Sequence, residues 1–249
     1  MNRHLPPDGA GPAPAPPTAP AASVPAPSVP APAAAPASAP AARPGRAVPA
    51  QGAGRVRAAL RLHGADLLDG VPRWGVMDTS VGQFRLQPVR LPRDLAQVAG
   101  WMNDPDIAAF WELAGPKELT EHHIRVQLDG DGRSVPCLGL LDGVPMSYWE
   151  VYRADLDPIA LHYPSRPHDT GLHLLLGPAD TRGRGIGSVL LRAVAERVLR
   201  ERHDARRVVA EPDIRNVPSM HAFLKAGFRH DRDLPLPGKH AALLVYDRR

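Results

Sequence analysis

Apolar residues recur along this chain at two spacings, and the pattern becomes regular near residue 83. Phe84, Leu86 and Val89 suggest a strand, after which Pro92 opens a series at helical intervals, Leu95, Val98, Trp101 and Met102. The Asp104-Pro105 pair predicts a helix restart with Ile107, Phe110 and Trp111 on its apolar face, and residues 119–128 read as a further helix that Gly130-Asp131-Gly132 ends. Residues 135–141 and 146–152 read as two strands. Between them stands Asp142-Gly143, a pair favoured in type I′ hairpin turns. A polar stretch over 155–169 leads into residues 172–176, a run whose length and apolarity suit a strand buried on both faces. Val189, Leu190, Ala193, Val194 and Val198 then mark a helix over 188–200, and residues 207–211 read as a strand.

Composition divides the chain unevenly. Residues 1–50 hold 15 of its 30 prolines and 17 alanines, with no Phe, Tyr or Trp. Such a segment cannot bury enough apolar surface to offset the entropy of ordering, so we expect a disordered Pro/Ala tail over 1–50. Residues 51–82, broken by Gly70, Pro72 and Gly75, read as a linker or peripheral arm, which leaves one folded domain over 83–249. The net charge is +4, and Arg3, Arg43 and Arg46 against Asp8 place about half of it in the tail. The remainder interleaves basic with acidic residues and argues against a nucleic-acid partner. Cys137, the single cysteine, excludes an intrachain disulfide and a Cys-rich zinc site. With no apolar run of membrane-spanning length and no signal-peptide core, no membrane partner and a cytoplasmic setting are expected. Metal is not expected either: His122 and His123 point about 100° apart on a helix, so these histidines read as solvated surface residues.

The segment after residues 172–176 carries the chemistry. Strand, Gly-rich turn and helix follow one another through Arg182-Gly183-Arg184-Gly185-Ile186-Gly187, an arrangement in which exposed N–H groups and a helix dipole can hold a pyrophosphate. Neither a dinucleotide fingerprint nor a P-loop fits the glycine spacing. Arg182-x-x-Gly185-x-Gly187 instead resembles the phosphate loop of the GCN5-related N-acetyltransferase (GNAT) superfamily. A second GNAT-like motif follows in the expected order, from Asn216 and Ser219 through Phe223 and Lys225 to Gly227-Phe228. The resemblance implies the GNAT fold, of α/β (α+β) class, with a mixed central β-sheet flanked by helices. It also implies acetyl-CoA or another acyl-CoA as donor, held by Leu174, Leu175, Leu176, Arg182, Gly183, Arg184, Gly185, Ile186, Gly187, Asn216, Ser219, Phe223 and Lys225. Phe223 stands where many members have tyrosine as the acid for the departing thiolate, which leaves Tyr148, Tyr152 or water for that task, or no acid at all.

Further segments resemble the siderophore-pathway acyltransferases within that superfamily: Trp101-Met102-Asn103-Asp104-Pro105, Phe110-Trp111, Trp149-Glu150-Val151-Tyr152, residues 169–178 and residues 211–216. This resemblance implies proton removal by His173 with Asp213 assisting, the roles being exchangeable, and a thioester carbonyl resting on the backbone N–H of Leu174 or Leu175. It suggests an acceptor pocket formed by Trp101, Asn103, Asp104, Phe110, Trp111, Trp149 and Glu150. The implied activity is acyl-CoA-dependent acylation of an N-hydroxylated lysine or diamine by a monomer or homodimer. Two alternatives stand beside it: an aminoglycoside 6′-N-acetyltransferase or other small-amine acetyltransferase, and a non-catalytic acyl-CoA-binding module.

Overall fold

The computed structural model describes residue 68 and residues 70–249. The expected disordered tail and most of the expected linker lie outside the described residues. Eight strands form one sheet: β1 (Met77–Thr79), β2 (Gly82–Pro88), β3 (Ser134–Leu141), β4 (Val144–Arg153), β5 (Thr170–Leu176), β6 (Arg207–Ala210), β7 (Arg229–Leu236) and β8 (Lys239–Asp247), in the spatial order β1-β2-β3-β4-β5-β6-β8-β7. All neighbours are antiparallel except β5 and β6. Five helices accompany it: α1 (Leu95–Met102), α2 (Pro105–Trp111), α3 (Lys117–Leu128), α4 (Ile186–Glu201) and α5 (Val217–Ala226).

Local chemistry accounts for these elements. Asp142 and Gly143 both take positive φ, 49° and 82°, as a type I′ turn between β3 and β4 requires. Asp104 caps α2 by accepting from Asp106 N–H at 3.0 Å, with Pro105 at the first helical position. Asn216 caps α5 in the same way through Ser219 N–H at 3.1 Å, and Gly227, φ 104°, ends that helix. α4 buries Leu190, Leu191, Val194, Ala195, Val198 and Leu199, the 3–4 spacing of one helix face.

Strand alternation sends Trp149, Val151 and Leu172 to one face of the sheet, where they pack with α4 and Phe223 of α5. Tyr148 and Leu175 point to the other face and pack with Val98 and Met102 of α1, Ile107 of α2 and Ile124 of α3. The arm expected over 51–82 is, in its described part, built into the domain. Leu68, Val71 and Trp74 are buried, and β1 forms the sheet edge.

One irregularity prepares the site. The parallel pairing of β5 with β6 covers only Thr170 and Gly171 against Val208 and Val209, so the two strands part beyond Gly171. This opening leaves His173 and Leu174 half-buried in a run expected to be covered on both faces.

Candidate functional site

Glu150 of β4 and His173 of β5 are cross-strand partners on the face that carries α1–α3, and Glu211 follows the last residue of β6 across the opening. Their side chains form a line. Glu150 Oε2 lies 2.8 Å from His173 Nδ1, and Glu211 Oε1 lies 2.6 Å from His173 Nε2. Each carboxylate has further partners. Glu150 Oε1 is 2.5 Å from His123 Nε2 and accepts from Gln127 Nε2 at 2.7 Å and Tyr148 Oη at 3.0 Å. Glu211 Oε2 accepts from Tyr152 Oη at 2.6 Å, and Lys239 Nζ stands 3.9 Å from Oε1. Gly171 makes the Tyr152 contact possible: a Cβ there would stand 2.0 Å from the phenol ring, which lies across the strand at that point.

Burial alone would lower the basicity of the His173 ring, but the charge of Glu211 and the bonds to both carboxylates push its pKa up to about 10. For Glu211, burial favours the neutral acid, yet the imidazolium and Lys239 hold its pKa at about 2. Glu150 is held well below the usual carboxylate range in the same way, burial being outweighed by His123 and His173. Two carboxylates thus flank the ring and favour its imidazolium form. Burial, joined by the neighbouring carboxylate, keeps the Tyr148 and Tyr152 phenols neutral. Their O–H groups are directed at Glu150 and Glu211.

Two clefts meet at this line, and Glu112, His123, Glu150 and His173 line both. The first opens at the β5/β6 parting and is bordered by Leu174, Glu211, Asn216, Ser219 and Phe223. Leu113, Leu119 and Val126 form one side of the second, with Arg133 and Asp157 also lining it. Beyond the end of β5, Gly183 and Gly185 adopt φ of 70° and 80°, which turns the chain into α4 with no side chain capping its first turn. Lys225 Nζ stands 3.4 Å from where a Cβ on Gly185 would lie. A helix start of this kind, with a lysine beside it, suits a pyrophosphate.

The model of the acetyltransferase (GNAT) domain family matches residues 90–236. The chain belongs to the GNAT acetyltransferase family. Among curated proteins it is 34% identical over 164 residues to the lysine N-acyltransferase MbtK of Mycolicibacterium paratuberculosis, covering 66% of this chain and 73% of that one. It is also 33% identical over 155 residues to an Escherichia coli N(6)-hydroxylysine O-acetyltransferase, covering 62% of this chain and about half (49%) of that protein. A solved structure of an uncharacterised Bacillus halodurans protein superposes with a TM-score of 0.64 at 32% identity, covering 70% of this chain and 89% of that one. This GNAT protein is therefore an enzyme, an acyl-CoA-dependent N-acetyltransferase. Among its described residues no helix is long and apolar enough to cross a membrane.

The expected site residues distribute unevenly. His173, Asp213, Phe110, Trp111, Glu150, Leu174, Asn216, Ser219 and Phe223 all line the first cleft. Asp213 nevertheless does not pair with His173. Its carboxylate accepts from Arg215 Nη2 at 2.6 Å and from Arg215 N–H at 2.8 Å, closing a local turn, and Glu211 takes the place expected for it. Glu150, expected to contact the acceptor, is a direct partner of the ring. Trp149 faces away, buried and bonded to Ser147. Trp101 packs over Gly177, and Asn103 staples the α2–α3 loop through Gly115. Asp104 pairs with Arg182 at 2.9 Å. That pairing removes the Arg182 guanidinium from the phosphate loop, since it also donates to the carbonyls of Leu176 and Gly177. His123 is a partner of Glu150 rather than a solvated surface residue.

Leu174 and Leu175 separate by strand phase. Gly177 N–H bonds to Met146 O at 2.9 Å, and the β4–β5 register continues from there without interruption. Alternation turns the main-chain groups of His173 and Leu175 toward β4 and those of Leu174 toward the opening.

Glu211 and His123 were the missed residues. A glutamate closing an apolar strand must find a partner when buried, and Thr120, His123, Ile124 and Gln127 repeat at the spacing of one inward helix face. Both signals stand in the sequence.

Proposed function

We propose that this enzyme transfers the acyl group of an acyl-CoA to the hydroxylated nitrogen of N6-hydroxylysine or a related N-hydroxylated diamine, forming a hydroxamate for siderophore assembly. The observation that carries this reading is the geometry of the line: each ring nitrogen of His173 is bonded to a carboxylate, which favours the imidazolium and leaves no free ring nitrogen to deprotonate an ammonium. A lysine ammonium, of pKa about 10.4, must first lose a proton to a base. The N-hydroxyl group withdraws electron density, so a hydroxylamine is neutral at pH 7 and attacks without that step. Similarity to an N(6)-hydroxylysine O-acetyltransferase and an N-hydroxyputrescine acetyltransferase supports the hydroxylated acceptor, while similarity to a lysine N-acyltransferase supports only the lysine skeleton.

In this reading the donor enters the β5/β6 opening, with its pyrophosphate on the N–H groups at the start of α4 and its pantetheine arm beside Asn216, Ser219 and Phe223. Leu174 N–H polarises the thioester carbonyl. Nitrogen attacks the carbonyl carbon, the N–C bond forms and the C–S bond breaks. The proton shed by nitrogen passes to the departing thiolate, a stronger base than any carboxylate, while the negative charge of Glu211 stabilises the cationic nitrogen formed on attack. His173 keeps the two buried carboxylates ionised and in place.

Thiol release from acetyl-CoA and succinyl-CoA, measured with N6-hydroxylysine, N-hydroxycadaverine, lysine and kanamycin, tests the assignment. Turnover is expected on the hydroxylamines and is expected to fall by roughly 100-fold or more in Glu211→Gln. Turnover on kanamycin alone would contradict it.

A further inference from the structure

Resting on the acceptor reading above, a second assignment concerns the other end of the acceptor molecule. The second cleft leaves the Glu150–His173 pair on the side away from Asn216 and Ser219, and its side walls differ in character. Leu119 and Val126 of α3 stand exposed along it, 48% and 60%, offering aliphatic surface at the depth where a methylene chain would run. Besides Glu112, which is exposed, lines the first cleft as well and acts on Arg215, the charged groups are Asp131, Arg133, Arg153 and Asp157. Three of these are satisfied: Arg133 chelates Asp131 and donates to Leu156 O, and Arg153 chelates Asp155. Asp157 is different. Its carboxylate accepts only the N–H of Ile159, at 3.0 Å, and forms no ion pair among the described residues. Burial raises its pKa, and Glu211, His173 and Arg133 lie close enough for their charges to act on it, Arg133 being itself held by Asp131.

We infer that Asp157 is a specificity-determining residue that receives the distal ammonium of the acceptor, with the alkyl chain lying along Leu119 and Val126 and the reacting nitrogen at the Glu150–His173–Glu211 line. The acceptor class is thus a chain with nitrogen at both ends. Its distal ammonium can be the α-ammonium of an N6-hydroxylated lysine or the second ammonium of an N-hydroxylated diamine, and the substrate panel separates the two. An Asp157→Asn variant keeps the oxygen that accepts Ile159 N–H and removes the charge, so the fold of the loop is preserved.

The test is the ratio of kcat/KM values for three acceptors with acetyl-CoA: N6-hydroxylysine, N-hydroxycadaverine and N-hydroxypentylamine, the last lacking a distal nitrogen. A charge-assisted hydrogen bond predicts a preference of roughly 10- to 100-fold for one or both of the first two over the third. The ratio is expected to collapse toward unity in Asp157→Asn, chiefly through KM, and to return in part in Asp157→Glu. Equal use of all three acceptors by the wild-type enzyme, or an unchanged ratio in Asp157→Asn, would overturn the assignment while leaving the acceptor reading standing. Failure to turn over any of the three would overturn that reading and this assignment with it.

Discussion

At the scale of single residues, the site turns on one proton. His173 has a folded-state pKa of about 10 against an ordinary 6.5, so its stabilising contribution is complete below about pH 6.5 and is lost as pH rises through about 10. Glu211 works in the opposite sense. Depressed to about 2 from 4.5, it contributes fully above about pH 4.5 and loses that contribution as pH falls toward 2. The line therefore stabilises the fold most between about pH 4.5 and 6.5. Ring resonances of His173, followed by NMR, are expected to report imidazolium through pH 8, and a midpoint near 6.5 would refute the clamped-cation description. His173 was legible through the resemblance carried by residues 169–178, since a histidine inside an apolar strand is by itself more often a core residue. Its partners were less so. Asp213 and Glu211 are two positions apart, and only the local turn closed by Arg215 decides which carboxylate reaches the ring. Cys137 is buried in β3, with burial pushing its thiol pKa far up, so Cys137→Ala should leave turnover unchanged in the thiol-release assay.

Among the secondary-structure elements, the parting of β5 from β6 creates the first cleft, proposed for the donor, and the contact of β4 with β5 sets the Glu150–His173 pair of the proposed catalytic line. The β3–β4 hairpin, the cap of α2 at Asp104 and the end of α5 at Gly227 were readable from turn and capping chemistry, which acts over a few residues. The point where parallel pairing stops depends on residues 38 positions apart, such as Thr170 and Val208, and no local spacing reveals it. A separation about twice as long hid the roles of Trp101 and Asp104, which resembled pocket residues yet serve Gly177 and Arg182. Gly171 is the joint between the two levels. Gly171→Ala would drive a methyl group into the Tyr152 ring, and overpacking of this kind costs about 1–3 kcal/mol. Denaturant unfolding should show that loss together with a drop in kcat, because Tyr152 would release Glu211. An unchanged kcat would separate the phenol from the reaction.

For the molecule as a whole, the described residues form one continuous sheet with helices on both faces, and its core begins earlier than the sequence pattern suggested. Leu68, Val71 and Trp74 are at most 4% exposed and pack with Leu86 and the inner face of α4, whose Arg197 also donates to Val76 O at 3.0 Å. Glycines and a proline in this stretch disguised it as an arm, because one turn of 3-10 helix and a three-residue strand leave almost no periodic signal. A chain starting at Met77 should therefore be less stable by at least the roughly 3–5 kcal/mol of a deleted buried tryptophan, as thermal unfolding would show. Acyl transfer to a hydroxylated nitrogen is tested most directly on the product. With acetyl-CoA and N6-hydroxylysine, one hydroxamate is expected per coenzyme A released, seen as the coloured ferric complex and as a single acetyl addition by mass spectrometry. Coenzyme A release without a ferric-binding product would contradict it.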